Sequence, residues 1–301
     1  MNPNYRAGFV AIVGRPNVGK STLVNALVGR KIVITSKHPN TTRNPIRGII
    51  TRPDFQIIVV DTPGVHKPKT LLGARLNEMV AENIDGVDVA VICLPVNEAI
   101  GQGDEFVIRQ IAKYKIVVAV TKSDTTTSAA LLEKLAEISS VFSKMGVKYE
   151  EIIPISAKKN EQIDLLEKLI AQRLEISPPL YPADMDTDQA TELLIAEFIR
   201  EAAIEDTFQE VPHSIVVTVE DYQKRENKDL IDIHATIHVE RDSQKPMLIG
   251  KQGAKLKEIG TKARSQIENY LGSKIYLSLH VKVSKDWQKD PKALTRLGFI
   301  E

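Results

Sequence analysis

The sequence predicts two domains of different fold class. Residues 1–174 read as a doubly wound α/β domain with a mostly parallel sheet, and residues 188–301 as an α+β domain. Three observations carry this. Upstream, short runs rich in Val and Ile alternate with helical patterns, as strands do when helices cover both faces of their sheet. Downstream, apolar residues recur at every second position over about ten residues, which marks a sheet with one buried face. Between the two, "EISPPLYPADMD" places Pro178, Pro179 and Pro182 in one short stretch, so residues 175–187 read as a semi-rigid, Pro-rich linker.

The strands of the first domain are "GFVAIVG", "FQIIVVD", "VDVAVICL", "YKIVVAVT" and "EEIIPIS". Its helices are Ser21–Val28, closed by Gly29, then Gly103–Tyr114, Ser128–Met145 and Gln162–Leu174. In "IRGIITRPDFQIIVVD" two strand-like runs meet at Arg52-Pro53-Asp54, a hairpin that adds one antiparallel strand. Beyond the linker, Gln189–Ala203 carries Leu193, Leu194, Phe198 and Ile199 on one helical face. "HSIVVTVEDY", Leu230–Glu240 and Ile275–Val283 follow as strands, with a helical region, Pro246–Leu271, broken near Gly250. The order is helix, strand, strand, helix, helix, strand.

With 301 residues, 43% hydrophobic and 26% charged, the chain can bury two ordinary cores. A formal net charge of +1 excludes nothing, because balanced totals hide uneven distributions. Cys93 is the only cysteine, so no intrachain disulfide forms, and its place in "VDVAVICLPV" makes it a small core hydrophobe. The first residues lack a basic-then-apolar leader, and no apolar run nears the ~18 residues of a bilayer span. A cytoplasmic location is expected.

"GRPNVGKS" fits G-x-x-x-x-G-K-[ST] at Gly14, Gly19, Lys20 and Ser21, after a strand and opening a helix. There the backbone N–H groups from Asn17 and Val18 through Thr22 curl around phosphates, aided by the helix N-terminus. Lys20 neutralises β- and γ-oxygens, and the Ser21 hydroxyl suits Mg²⁺. "TKSD" puts Asp124 just past a strand's carboxyl end, where α/β ligands bind. Its two oxygens match the N1–H and N2–H₂ donors of guanine, whereas adenine presents an acceptor at N1. Lys122 can lay its methylenes over the ring, and "SAK", Ser156-Ala157-Lys158, offers a backbone N–H to guanine O6. In chain order, each at a strand end, these segments point to GTP and GDP rather than ATP.

With "GRPNVGKS", "NTTRN", "DTPG", "TKSD" and "SAK", the first domain resembles a translation-factor-class P-loop GTPase. The resemblance implies that Thr42 binds Mg²⁺ and senses the γ-phosphate, with Thr41 as the alternative. It implies that Asp61 holds Mg²⁺ through water and that the Gly64 N–H meets the γ-phosphate. Thr121 stands where such families often carry Asn, and its hydroxyl replaces only part of that amide's bonding. Val65 follows "DTPG" and cannot orient water, so hydrolysis needs another source of charge. By resemblance to the subgroup with a hydrophobic residue there, Asn17 helps hold K⁺ against the phosphates; otherwise it only shapes the turn. His66 is not expected to act as a base, since a loose transition state needs little deprotonation. Catalysis is thus assigned to Lys20, Thr42, Gly64 and Asn17.

In the second domain, "LIGKQGAKLKEIG" contains G-x-x-G at Gly250-Lys251-Gln252-Gly253, joining two helices. With the element order above it resembles a type II KH domain, which grips unpaired nucleotides between this loop and an apolar floor. Lys245, Lys251, Lys255, Lys257, Lys262, Arg264 and Lys274 surround it, opposed by Glu258 and Glu268. Ile249, Leu256 and Ile259 supply the floor or belong to the core. Trp287 is read as a packing anchor rather than a base-stacker.

A P-loop GTPase, a short Pro-rich linker, a C-terminal KH domain and the ending "VKVSKDWQKDPKALTRLGF" together resemble the Era family of bacterial GTPases over nearly the whole chain. That resemblance implies a monomeric GTPase that binds the single-stranded 3′ end of 16S rRNA and assists assembly of the 30S ribosomal subunit. Order–disorder of Lys31–Arg47 and Asp61–Arg75 is the expected coupling between nucleotide and RNA. Two alternatives stay open: a GTPase whose second domain binds protein or membrane, and a GTP-dependent binder with very weak hydrolysis. Basic faces attract anionic lipids too, so peripheral contact at the inner face of the cell membrane belongs to the first.

Overall fold

The computed structural model describes residues 2–36, 46–61, 71, 78, 85–205, 214–226 and 229–297. The chain divides into two compact units, the first holding most of residues 2–188 and the second residues 189–297 together with 34–36.

In the first unit the elements run β1 (Arg6–Val13), α1 (Lys20–Val28), β2 (Ile46–Thr51), β3 (Phe55–Asp61), β4 (Val89–Pro95), α2 (Gln102–Ile111), β5 (Lys115–Thr121), α3 (Ser128–Met145), β6 (Glu151–Pro154) and α4 (Ile163–Ala171). The sheet order is β2-β3-β1-β4-β5-β6. Every pairing is parallel except β2 with β3, the expected hairpin, whose register sets Gly48 against Val59. Val89 to Pro95 are all buried, which is why β4 shows a continuous apolar run and no alternation. One sheet face packs Ile92, Leu94, Val118 and Val120 against Val107 and Ile108 of α2 and Ile138 and Phe142 of α3. Leu23 and Leu27 of α1 and Leu166 and Ile170 of α4 are buried as well, and both helices meet β3. Cys93 is fully buried, and burial pushes its thiol up to about 12, so it is an inert core residue.

The Pro-rich stretch lies along the first unit rather than standing off it. Ser177 N–H donates to Tyr5 O (3.0 Å), Ile49 N–H to Asp186 O (2.8 Å), and the buried Gln56 amide bonds Leu180 and Tyr181. An extended, proline-bearing segment leaves backbone groups unpaired, and these contacts satisfy several of them.

The second unit runs α5 (Thr191–Glu205), β7 (Val216–Lys224), β8 (Leu230–Val239), α6 (Gln244–Ile249), a 3₁₀ turn (Lys251–Gly253), α7 (Ala254–Leu271), β9 (Lys274–Val283) and α8 (Pro291–Arg296). Its sheet order is β7-β8-β9, antiparallel then parallel. Helices α5 and α7 pack on each other, α5 on β7 and α7 on β9. The periodicity of α5 predicts one oily face, but Leu194 to Ile204 are buried throughout, charged residues included. Arg200 bonds Glu197 through two nitrogens (2.8 and 2.6 Å), and the Glu201 carboxylate accepts from Thr35 N–H (2.8 Å). Those partners are what allow buried charge there. Trp287 is fully buried and its Nε1–H donates to Ser214 O (3.0 Å), so it anchors packing.

Candidate functional site: a nucleotide pocket and a G-x-x-G groove

The carboxyl ends of parallel strands β1, β3, β5 and β6 bring the predicted nucleotide residues together, since each motif follows its strand directly. Gly14 leaves β1 with φ 149°, and a Cβ there would stand 2.9 Å from the Cys93 carbonyl oxygen. Asn17 takes left-handed backbone at φ 64° and Gly19 at φ 100°, so the loop curls before α1 starts at Lys20. Gly19 caps α1 without a side chain, which keeps the first-turn N–H groups of Lys20, Ser21 and Thr22 from being taken by a capping oxygen.

Lys20 is buried, with its ammonium on the carbonyl oxygens of Gly14 (2.9 Å) and Arg15 (2.8 Å). Burial pulls its pKa down while Asp61 holds it up. Ser21 Oγ donates to Asp61 Oδ2 at 3.1 Å, joining the helix start to the end of β3. One hydroxyl and one carboxylate are hard oxygen donors, the set that suits Mg²⁺ when phosphates and water complete an octahedron.

Thr121, 4% exposed, donates its hydroxyl to Val18 O at 2.6 Å. Its single proton is spent on the phosphate loop and is not free for a ligand. Next, Lys122 lies at φ 59°, with its carbonyl accepting from Thr125 N–H (3.0 Å) and Thr125 Oγ1 (2.7 Å). Asp124 Oδ1 accepts from Ser156 Oγ at 2.8 Å. That bond first, with its own N–H, Lys159 and Lys158 behind it, holds the Asp124 carboxyl below the usual carboxylate range. Ser156 N–H donates to Glu161 O (3.2 Å), which moves the task of meeting guanine O6 to Ala157 or Lys158. A cavity of about 610 Å³ runs along α1 from Thr22 to Gly29 and reaches Ala157, Lys158 and Glu167, so it flanks the base loop rather than enclosing the phosphate loop. Thr42, its alternative Thr41, Gly64, Val65 and His66 lie outside the described residues.

The G-x-x-G loop follows α6. Gly250 (φ 71°), Gln252 (φ 52°) and Gly253 (φ 79°) are left-handed, and a Cβ on Gly250 would stand 2.7 Å from Lys255 Cβ. Gly253, by contrast, has open space around it, so substitution there meets backbone strain without a clash. A cavity of about 390 Å³ runs beside it, lined by Leu256, Lys257, Gly260, Arg264, Leu277 and Leu279. Of the residues read as floor or core, Ile259 is 1% exposed and belongs to the core, Ile249 is half-buried on α6, and Leu256 lines the cavity with Leu277 and Leu279 of β9. The alternating pattern of β9 held that signal, since Leu277 and Leu279 share the face of the buried Ile275 and Val281 yet are only half-buried. Glu258 pairs with Lys255 (3.8 Å) and Lys262 (3.4 Å), and Glu268 with Lys274 (3.0 Å). Lys251, Lys257 and Arg264 are exposed; Arg264 lies near enough to Glu268 to help, after Lys274, hold its carboxyl below the usual range.

A family model described as a 50S ribosome-binding GTPase matches residues 9–122, and a KH domain model matches residues 210–288. The chain is 50% identical over 304 residues to the GTPase Era of a Nocardioides species, covering 99% of this chain and 97% of that protein. It is 51% identical to the GTPase Era of Streptomyces coelicolor, covering 98% and 95%. The chain belongs to the Era family of GTPases. Two solved Era structures superpose with a TM-score of 0.93. One, from Aquifex aeolicus and bound to GDP·AlF₄⁻, is 36% identical and covers 98% of this chain and all of that one. The other holds MgGDPNP and nucleotides 1506–1542 of 16S ribosomal RNA, is 37% identical and covers 99% of this chain and all of that one. The Era fold is thus a P-loop GTPase domain with a mostly parallel sheet, joined to a C-terminal KH domain. No helix among the described residues is long and apolar enough to cross a membrane.

Proposed function

We propose that this Era-family chain is a GTP-hydrolysing switch that grips the single-stranded 3′ end of 16S rRNA and assists assembly of the 30S subunit. Residues 1–174 carry the nucleotide and residues 188–301 the RNA. The observation that carries the nucleotide half is Asp124, held ionised by Ser156 at the ends of β5 and β6 beside the phosphate loop. An ionised carboxylate there accepts two N–H donors of guanine, and adenine leaves it badly paired.

Lys20 meets the β- and γ-phosphate oxygens, and Ser21 with Asp61 and Thr42 holds Mg²⁺, whose charge offsets that of the phosphates. Gly64 N–H meets the γ-phosphate. Little proton abstraction is needed, so positioning and positive charge lower the barrier. Asn17 either shapes the turn or holds K⁺ as the further charge; hydrolysis rates compared in K⁺ and Na⁺ buffers separate the two.

On the RNA side, Gly250 to Gly253 bring backbone close to a sugar-phosphate chain, Lys251, Lys255 and Lys257 meet phosphates, and Ile249 flanks the loop. Coupling runs through order–disorder of the segments Lys31–Arg47 and Asp61–Arg75. What supports it is that residues 34–36 fold with the second unit, Thr35 on Glu201. The chain works as a monomer in the cytoplasm, with peripheral contact of the basic face at the membrane.

The test is a titration of a fluorescent 12-nucleotide single strand, of 16S 3′-end sequence, with wild type and with the Gly250→Asp, Gly253→Asp double variant. Two carboxylates in the loop, through repulsion of phosphates and the loop distortion a Cβ imposes at Gly250, should weaken binding at least about a hundredfold. Equal binding by both proteins would mean the groove does not hold RNA.

A further inference from the structure

We infer that Glu98, in the loop between β4 and α2, is a positioning residue for guanine nucleotide: it aligns Lys122 with the phosphate loop. The inference rests on the nucleotide-site reading above. Its carboxylate receives a cation from each nucleotide loop, Arg15 of the phosphate loop at 3.2 Å and Lys122 of the base loop at 3.5 Å. One side chain therefore bridges the two segments that meet opposite ends of the nucleotide.

Glu98 stands on a fixed post. Its carbonyl oxygen accepts from Lys134 Nζ at 2.6 Å, and Lys134 of α3 is buried. Lys134 also pairs with Glu137 (2.9 Å), which accepts the Ile100 N–H (2.9 Å) and so ties the same loop again. Arg15 is set from the other side. Its Nε donates to Asp104 at 2.7 Å, where Asp104 is 1% exposed and caps α2 at Gly101 N–H. Gly103 makes room for this, since a Cβ there would stand 2.9 Å from Arg15 Cδ.

Lys122 shows why such a partner is useful. It is a non-glycine residue in left-handed backbone, held there through its carbonyl by Thr125. Such strain persists where the surroundings over-determine it, and it gathers at ligand-holding positions. A lysine stem laid over a purine must carry its ammonium beyond the ring, and a free lysine samples many rotamers. Glu98 gives that ammonium a fixed partner, so the stem is extended before nucleotide arrives. The pair is partly exposed, at 41% and 34% of the two side chains, so its effect is modest.

The experiment follows release of a fluorescent GDP from the full chain in wild type, Glu98→Gln, Lys122→Met and the double variant. Glu98→Gln should release GDP about threefold faster, the size a partly exposed ion pair supports. KM for GTP should rise by a like factor with kcat held, a split that general loosening would not give. In the Lys122→Met background, Glu98→Gln should add clearly less, because only its tie to Arg15 is left to lose. Release unchanged by Glu98→Gln, or accelerated by the same factor in both backgrounds, overturns the inference. Wild type that fails to bind GDP at all would instead sink the nucleotide-site reading, and the inference with it.

Discussion

The hydroxyl of Thr121 donates to Val18 O at 2.6 Å, inside a buried contact that joins the base loop to the phosphate loop. Valine has nearly the same shape and no proton to give, so Thr121→Val leaves that carbonyl without its donor. An orphaned buried acceptor costs ~1–3 kcal/mol, and each 1.4 kcal/mol is tenfold in affinity. Equilibrium titration with fluorescent GDP should therefore show about tenfold weaker binding by Thr121→Val. Unchanged affinity would show that the tie does not set the loop. The motif pattern located Thr121 and left its hydroxyl two partners, the base and the phosphate loop; the fold gives it the second, Val18 O. Glu98 gave no sequence signal at all: a single glutamate in a loop reads as solvated until two distant loops are folded against it.

At the scale of elements, most of the architecture was legible because the central strands β4 and β5 are nearly continuous apolar runs and each phosphate or base motif follows a strand directly. Ser128–Met145 carries a Thr127 cap, whose side chain accepts Ala130 N–H, and ends at left-handed Gly146, so both bounds were readable. Helix α8 was not read. Asp290 caps it by accepting Lys292 N–H (3.0 Å) and Pro291 opens it, yet six residues are too few to show a period. The groove floor was half-read for a similar reason: alternation tells which residues of β9 point inward, but not how far α7 covers them.

One strand-level pairing carries a pH dependence. His238 of β8 bridges Thr218 Oγ1 of β7 (Nε2, 3.0 Å) and Ser284 Oγ just past β9 (Nδ1, 3.0 Å). Burial first, then Lys282 and Arg296, push its pKa below the ordinary histidine value, while Glu220 pulls the other way. Below about pH 6.5 the unfolded chain then binds a proton that the folded one resists, so stability is present above that pH and lost as pH falls. Urea unfolding of the second unit should weaken below about pH 6.5 by at most ~1.4 kcal/mol per pH unit. His238→Gln, which keeps a polar bridge without the charge, should flatten that slope. An equal slope in both proteins would remove His238 as its source.

At the scale of the whole molecule, a near-neutral chain separates two chemistries by unit. The first gathers a buried lysine, a hydroxyl–carboxylate pair and an ionised aspartate at one end of its sheet. The second presents Lys251, Lys257 and Arg264 beside a glycine-hinged loop, after its acids have taken up the neighbouring lysines. A net charge of +1 is thus the sum of a local arrangement, not its absence.

All of this depends on the first pocket choosing guanine. The most direct measurement loads the purified chain with fluorescent GDP and displaces it with unlabelled GTP or ATP in Mg²⁺ buffer. Pairing of Asp124 with two guanine donors predicts that ATP needs at least about a thousandfold more nucleotide than GTP to displace half the probe. Displacement by both at similar concentrations would contradict the account.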